Sequence, residues 1–166
     1  MTNEDIFKRI SDQFSSYIIA SDETFGILNI EINPNNNTEI VQWLKEDSIL
    51  QFSFLTNIAG IHYPDSTGRE IAVVYQLHSW RNNSRLRLKA YLSIDNPTID
   101  SIVHLYNGAN WMERETFDFF GVNFKNHPDL RRILNEDSMD YFPMRKEHPL
   151  EDATRQDKDD RFFGRF

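Results

Sequence analysis

Ile6, Phe7, Ile10 and Phe14 recur at helical spacing and predict an amphipathic helix over residues 4–15, with Thr2 or Asn3 placed to cap its first amides. Residues 17–20 and 25–32 read as two strands joined by a polar loop, Ser21-Asp22-Glu23-Thr24. Pro34-Asn35-Asn36-Asn37 interrupts the pattern, and Ile40, Val41 and Leu44 then define one face of a second helix over residues 38–46. Residues 49–63, 70–80 and 84–92 are the strongest strand candidates, separated by turn chemistry at residues 64–68 and at Asn82-Asn83. The last of these alternates cleanly, with Arg85, Arg87 and Lys89 on one face and Leu86, Leu88 and Ala90 on the other. A third helical stretch is predicted from about Thr98, broken at Asn107-Gly108 and resumed at Asn110, where Asn110 and Glu113 have the spacing of a capping box. Together these elements predict an α+β fold, a mostly antiparallel sheet of about five strands packed by two to three helices.

The character of the chain changes near residue 110. Residues 1–110 hold 21 charged side chains and the shorter stretch 111–166 holds 23. Prolines at 128, 143 and 149 forbid long regular elements there, yet Phe142, Leu150, Phe162, Phe163 and Phe166 make the segment too aromatic for a solvated tail. The chain therefore divides into an α+β core domain, residues 1–122, and an extended C-terminal segment, residues 123–166, expected to lie on partner subunits. Arginines within it such as Arg131, Arg132, Arg145 and Arg155 suit bidentate pairing with carboxylates across an interface.

Charge and composition exclude several classes of function. The 166 residues carry a net charge of −8, the wrong sign for a general nucleic-acid binder. With no cysteine, the chain has no disulfide, thiolate zinc site, cysteine nucleophile or iron–sulfur cluster ligand of its own. No apolar run approaches the roughly 20 residues that span a bilayer, and the acidic N-terminus is unlike a signal peptide. The expectation is an intracellular protein attached to a membrane only through something else.

Candidate chemistry is sparse. Glu113, Glu115 and Asp118 cluster with Arg114 and could supply a general acid and base. Placed at the start of a helix, these acids are also favoured simply by its dipole. His127, Asp129 and His148 invite a metal reading, but no metal-ligand spacing joins the histidines. The six glycines form no phosphate-binding loop, and no serine sits in a nucleophile elbow.

Other runs of sequence are more specific. Residues 111–124, Trp-Met-Glu-Arg-Glu-Thr-Phe-Asp-Phe-Phe-Gly-Val-Asn-Phe, are followed by His127-Pro128-Asp129-Leu130-Arg131-Arg132-Ile133-Leu134, then Pro143-Met144-Arg145-Lys146 and Pro149-Leu150. This order resembles the signature of the 30-kDa subunit of respiratory complex I of bacterial type. That family shows Glu-Arg-Glu-x2-Asp, a Phe-Gly pair (here Phe120-Gly121), His-Pro-Asp-Leu-Arg-Arg-Ile-Leu and Pro-Leu-Arg-Lys. The resemblance is clear over about residues 50–152 and weaker elsewhere. Asn126, Phe117, Met144, His148 and residues 138–141 depart from the usual pattern, which implies altered local turns and packing.

The resemblance implies a polypeptide without catalytic or cofactor-binding residues of its own, in the peripheral arm of proton-translocating NADH:quinone oxidoreductase. The complex uses NADH, FMN, Fe–S clusters and quinone. Implied partners are the quinone-site (49-kDa-type) and terminal-cluster (PSST-type) subunits, on the cytoplasmic side of the bacterial inner membrane. The interface residues it implies are Glu113, Arg114, Glu115, Asp118, Phe120, Gly121, His127, Pro128, Asp129, Arg131, Arg132, Pro143, Arg145 and Lys146. Two alternatives stay open: the equivalent polypeptide of a membrane-bound hydrogenase or other donor-linked quinone reductase, and a stand-alone acidic hydrolase or binding module using Glu113, Glu115 and His127.

Overall fold

A computed structural model describes residues 1–148. Helix α1, Asn3–Phe14, begins where the sequence places it: the Thr2 hydroxyl accepts the Asp5 amide and the Asp5 carboxylate accepts the Thr2 amide, a reciprocal cap. Strands β1, Ile18–Thr24, and β2, Ile27–Ile32, form a hairpin. Here Ser21–Thr24 is strand, and the expected polar loop there is corrected to a turn of two residues, Phe25 and Gly26, both at positive φ (54° and 73°). This is the backbone of a type I′ turn, whose twist matches that of the strands it joins. β1 is exposed along almost its whole length, so an edge strand held by backbone pairing carries no apolar alternation to betray it.

Helix α2, Asn37–Glu46, is entered through a short 3₁₀ turn over Pro34–Asn36. Strands β3, Phe54–His62, β4, Ile71–Ser79, and β5, Ser84–Leu92, follow as an antiparallel meander. The five-stranded sheet has the order β1-β2-β5-β4-β3 and is antiparallel except where β2 lies parallel to β5. That pairing follows from connectivity: α2 and the meander carry the chain away from β2 before β5 returns beside it.

One core holds the molecule together. Ile6, Ile10 and Phe14 of α1 and Ile40, Val41 and Leu44 of α2 pack on Leu28, Ile30 and Ile32 of β2 and on Leu86, Leu88 and Ala90 of β5. Two members of the basic row on the other face of β5 are matched within the chain: Lys89 approaches Asp22 at 3.8 Å and Arg87 donates to Asn29 at 3.1 Å. Arg69, ahead of β4, pairs with Glu31 at 2.7 Å.

Beyond β5 the observed elements differ from the sequence expectation. Residues 98–100 are not helix but a short strand, β6, Thr98–Asp100, parallel to β7, Asn123–Lys125. Helix α3 spans Ala109–Phe120. The expected Asn110–Glu113 capping box is absent: Gly108 occupies the cap without a side-chain bond, and Glu113 turns inward. Because β7 pairs with β6, the core runs past residue 122 into the first residues of the C-terminal segment.

Candidate interaction site on helix α3

Helix α3 packs against edge strand β3 at a point of very close approach. A Cβ added to Gly60 would stand 2.4 Å from the Phe120 ring, so only glycine lets helix and strand meet there. The helix stops at Gly121, which adopts φ +77° and donates its N–H to the Phe117 carbonyl, the usual left-handed ending of a helix. The same glycine is pressed by the strap that follows: a Cβ there would lie 2.5 Å from the Phe142 ring and 2.7 Å from the Arg145 guanidinium.

Asp118 lies in the last turn of α3, not near its start, so the expected help from the N-terminal dipole is corrected; at this end the dipole opposes a carboxylate. What holds the charge is a set of donors. Oδ2 accepts the N–H groups of Ile133 (3.1 Å), Leu134 (2.8 Å) and Asn135 (2.9 Å), and Oδ1 accepts from Arg132 at 2.7 Å. Burial alone would raise the Asp118 carboxyl, but the Asn135 and Leu134 amides and the Arg132 guanidinium outweigh it and hold the group well below the usual carboxylate range. Arg132 also donates to the carbonyls of Asp118, Met139 and Tyr141 and lies over the Phe142 ring at 5.3 Å.

The partner of Asp118 is thus Arg132 of the following segment, not Arg114 one turn away on the same helix. Arg114, itself buried, donates to the carbonyls of Arg131 (3.1 Å) and Arg132 (2.9 Å) and lies over Trp111. Arg145 donates to the Phe120 carbonyl at 2.8 Å and stacks on Phe142 at 4.7 Å. The Lys146 amide donates to Nδ1 of buried His62 on β3. Residues 131–146 therefore form a strap over the end of α3, riveted by an aspartate and three arginines.

The remaining signature residues fall into two groups. His127 is engaged at both ring nitrogens: Nδ1 accepts the Asp129 amide, so Nε2 carries the hydrogen and donates to the Asn110 carbonyl. Glu113 is fully buried, with Oε1 accepting the Ile102 amide at 2.8 Å and Oε2 without a partner; burial pushes its carboxyl up to about 7. Glu115, Pro128, Asp129, Arg131 and Lys146 are exposed, and Asp129 and Arg131 pair with each other at 2.8 Å. Pro143 and Phe120 are half-buried in and beneath the strap. Glu113 and Glu115 lie on different sides of α3, one buried and one in solvent, so these carboxylates do not converge on a common point. Among the described residues no three His, Asp or Glu side chains converge as metal ligands, and no helix is long and apolar enough to cross a membrane.

Sequence reasoning misses two features of this region. The burial of Glu113 was available from helical spacing, since Ala109, Glu113 and Thr116 form one buried stripe. The helix end was available from Gly121 itself. Beside the strap, Ile58, Ala59 and Gly60 of β3 and Thr116, Phe119 and Met144 line a largely apolar cleft with Glu115 at its rim.

Similar sequences and folds occur among known proteins. The family described as the respiratory-chain NADH dehydrogenase 30-kDa subunit matches residues 30–154. The NADH-quinone oxidoreductase C subunit of Mycolicibacterium gilvum (strain PYR-GCK) is 38% identical over 140 residues, covering 84% of this chain and 60% of that protein. The corresponding protein of Roseiflexus sp. (strain RS-1) is 38% identical over 152 residues, covering 90% of this chain and 86% of its own. Among solved structures, the trypsin-resistant fragment (1–134) of Nqo5 superposes with a TM-score of 0.66 at 28% identity, over 78% of this chain and 100% of the fragment. A chain of the membrane-bound sulfane sulfur reductase, an archaeal respiratory membrane complex, gives 0.73 at 21% identity, over 89% of this chain and 85% of that one, a likeness of fold.

Proposed function

As the chain belongs to the 30-kDa subunit family of respiratory-chain NADH dehydrogenase, we propose that it is an architectural component of the peripheral arm of an NADH:quinone oxidoreductase. In this reading the complex carries electrons from NADH through FMN and Fe–S clusters to quinone and couples the transfer to ion translocation. The chain binds none of these groups itself. It sits at the cytoplasmic face of the membrane, between the quinone-site (49-kDa-type) and terminal-cluster (PSST-type) subunits, and segment 123–166 contributes to the contact. Part of that segment, residues 149–166 with Phe162, Phe163 and Phe166, lies outside the described residues.

The observation that supports the reading most is the use made of the signature charges. Asp118 has both oxygens filled by four donors, and Arg114, Arg132 and Arg145 are spent on backbone carbonyls. Groups tied to neighbouring backbone in this way are held in place, and together they fix the shape of the strap. The exposed signature residues, Glu115, Asp129, Arg131 and Lys146, are then left to face neighbouring subunits from that rigid mount. The names of the relatives favour NADH over hydrogen as the electron source.

The test is purification of an affinity-tagged chain from detergent-solubilised membranes, with identification and counting of what accompanies it. The proposal expects the quinone-site and terminal-cluster subunits in equal amount with the chain, together with the flavin-containing NADH-oxidising subunits. Recovery with a hydrogenase large subunit in place of the NADH module overturns the electron-donor part, and recovery of the chain alone overturns the whole.

A further inference from the structure

Three large aromatic side chains stand in solvent at one end of the five-stranded sheet, far in sequence from α3 and its strap. Phe25 at the β1–β2 turn is 98% exposed, Trp80 at the end of β4 66%, and Phe54 at the start of β3 44%. The register brings their strand ends together. Phe54 pairs with His78 and His78 with Arg85, so these three form one row across β3, β4 and β5, and Leu28 beside Leu86 sets the β1–β2 turn at the same end. His78 stacks on Trp80 at 4.7 Å, and Phe54 leans on Trp80 at 5.6 Å. At this end of the sheet Phe54, His78, Arg85 and Arg87, with Ile27 of β2, line a cavity of about 250 Å³.

Two features show what this surface lacks. No carboxylate lines the cavity, on a chain whose net charge is −8. Among the described residues Arg85 has no ion-pair partner, in contrast to Lys89 and Arg69, and Nε2 of His78, shielded from water, has no hydrogen-bond partner. Phe25 adds a conformational argument. At φ 54° in a type I′ turn it occupies a position suited to asparagine or glycine, and its ring touches the solvent rather than the fold. A strained, bare aromatic contributes nothing to the free chain, whereas aromatics and arginine at the centre of a desolvated contact dominate binding.

We propose that this end of the sheet is a docking surface for an acidic segment of a neighbouring polypeptide. A carboxylate of that segment pairs with Arg85 and accepts from His78, and apolar side chains of the same segment pack on Phe54 with Trp80 and, across the end of β5, on Phe25. An anionic bilayer fits less well, since the site is a concave pocket rather than a flat face. The surface is separate from the α3 strap and goes beyond the architectural reading above.

Photo-crosslinking tests the proposal in the intact membrane complex. With Phe25 or Trp80 replaced by p-benzoylphenylalanine, the crosslinked peptide is expected to come from another polypeptide and to carry Asp or Glu next to an apolar residue. Crosslinks to lipid, to a second copy of this chain or to a basic segment, or none at all, overturn it. A second measurement titrates the purified full chain against membranes from cells lacking it. Phe25→Gly relaxes the turn while removing the ring, so its urea midpoint is expected to hold or rise while half-saturation shifts by about tenfold or more. Arg85→Glu should shift it by a similar factor, and Arg85→Lys by much less. Binding by Phe25→Gly and Arg85→Glu that equals the parent refutes the surface. Loss of the accompanying NADH-oxidising subunits in the pull-down bears only on the architectural reading.

Discussion

Asp118→Asn removes a charge from the centre of the strap without changing its volume, which makes the cost of the charge measurable. The parent carboxylate is fully buried and Arg132 nearly so, at 2.7 Å. In the variant the amide NH₂ replaces one acceptor, so either Arg132 or the three N–H groups of Ile133, Leu134 and Asn135 lose their partner. Breaking a buried pair from one side costs about 3–5 kcal/mol, because the other charge is stranded. That is a large fraction of the roughly 5–15 kcal/mol that stabilises a domain of this kind. The pH dependence has a definite sign. The folded carboxyl titrates below its ordinary value, so its contribution is complete above the unfolded value, about 3.9, and is lost as pH falls through the folded one. The assay is urea unfolding followed by tryptophan fluorescence and circular dichroism, from pH 3 to 7, for the parent, Asp118→Asn, Arg132→Met and the double variant. The expected penalty for Asp118→Asn at pH 7 is about 3–5 kcal/mol, declining only below about pH 4, with a coupling to Arg132 of about 1–3 kcal/mol. A penalty under about 1 kcal/mol, or two substitutions that simply add, would refute the claim that Asp118 and Arg132 rivet the strap.

Two further outcomes follow from the same structure. Glu113, pushed up to about 7 by burial, keeps its proton in the folded state over a pH range in which the unfolded chain has lost it, so the parent should lose stability as pH rises from about 4.5 to 7. The loss is at most about 3 kcal/mol, and Glu113→Gln, which retains an acceptor for the Ile102 amide, should flatten it; equal slopes in urea titrations at pH 5 and 8 would contradict this. Gly121→Ala should cost more than the ~1–2 kcal/mol of a left-handed backbone alone, because its Cβ meets Phe142 at 2.5 Å, and trypsin should then cut faster at Arg131, Arg132 and Arg145; an unchanged cleavage rate would show that the strap does not depend on that contact.

What was legible in the sequence was what local chemistry decides. The cap by Thr2, the apolar stripe of α2 and the alternation of β5 are written in neighbouring residues and appear where the pattern puts them. The second half of β1, residues 21–24, and the whole of β6 were not legible, for different reasons. β1 is a polar edge strand without an apolar face, and β6 is a strand only because β7, more than twenty residues later, lies beside it. The residues of the α3 region were readable as a signature long before their geometry was. The order of charges along the chain clusters Arg114 with Asp118, but a helix sets side chains four apart on one face without dictating which bond forms. Arg132 wins because the strap returns its backbone amides to the same carboxylate. The aromatic end of the sheet was invisible for a simpler reason: Phe25, Phe54 and Trp80 are scattered over more than fifty residues, and only the register gathers them.

Whether the signature charges serve assembly or turnover is the central question, and Asp118→Ala in the chromosomal copy separates the two. Membranes from the variant are solubilised, the assembled complex is quantified by its bound flavin, and NADH:quinone turnover is divided by that amount. An architectural role predicts much less assembled complex, with turnover per complex close to that of the parent. Full assembly with turnover abolished would contradict it.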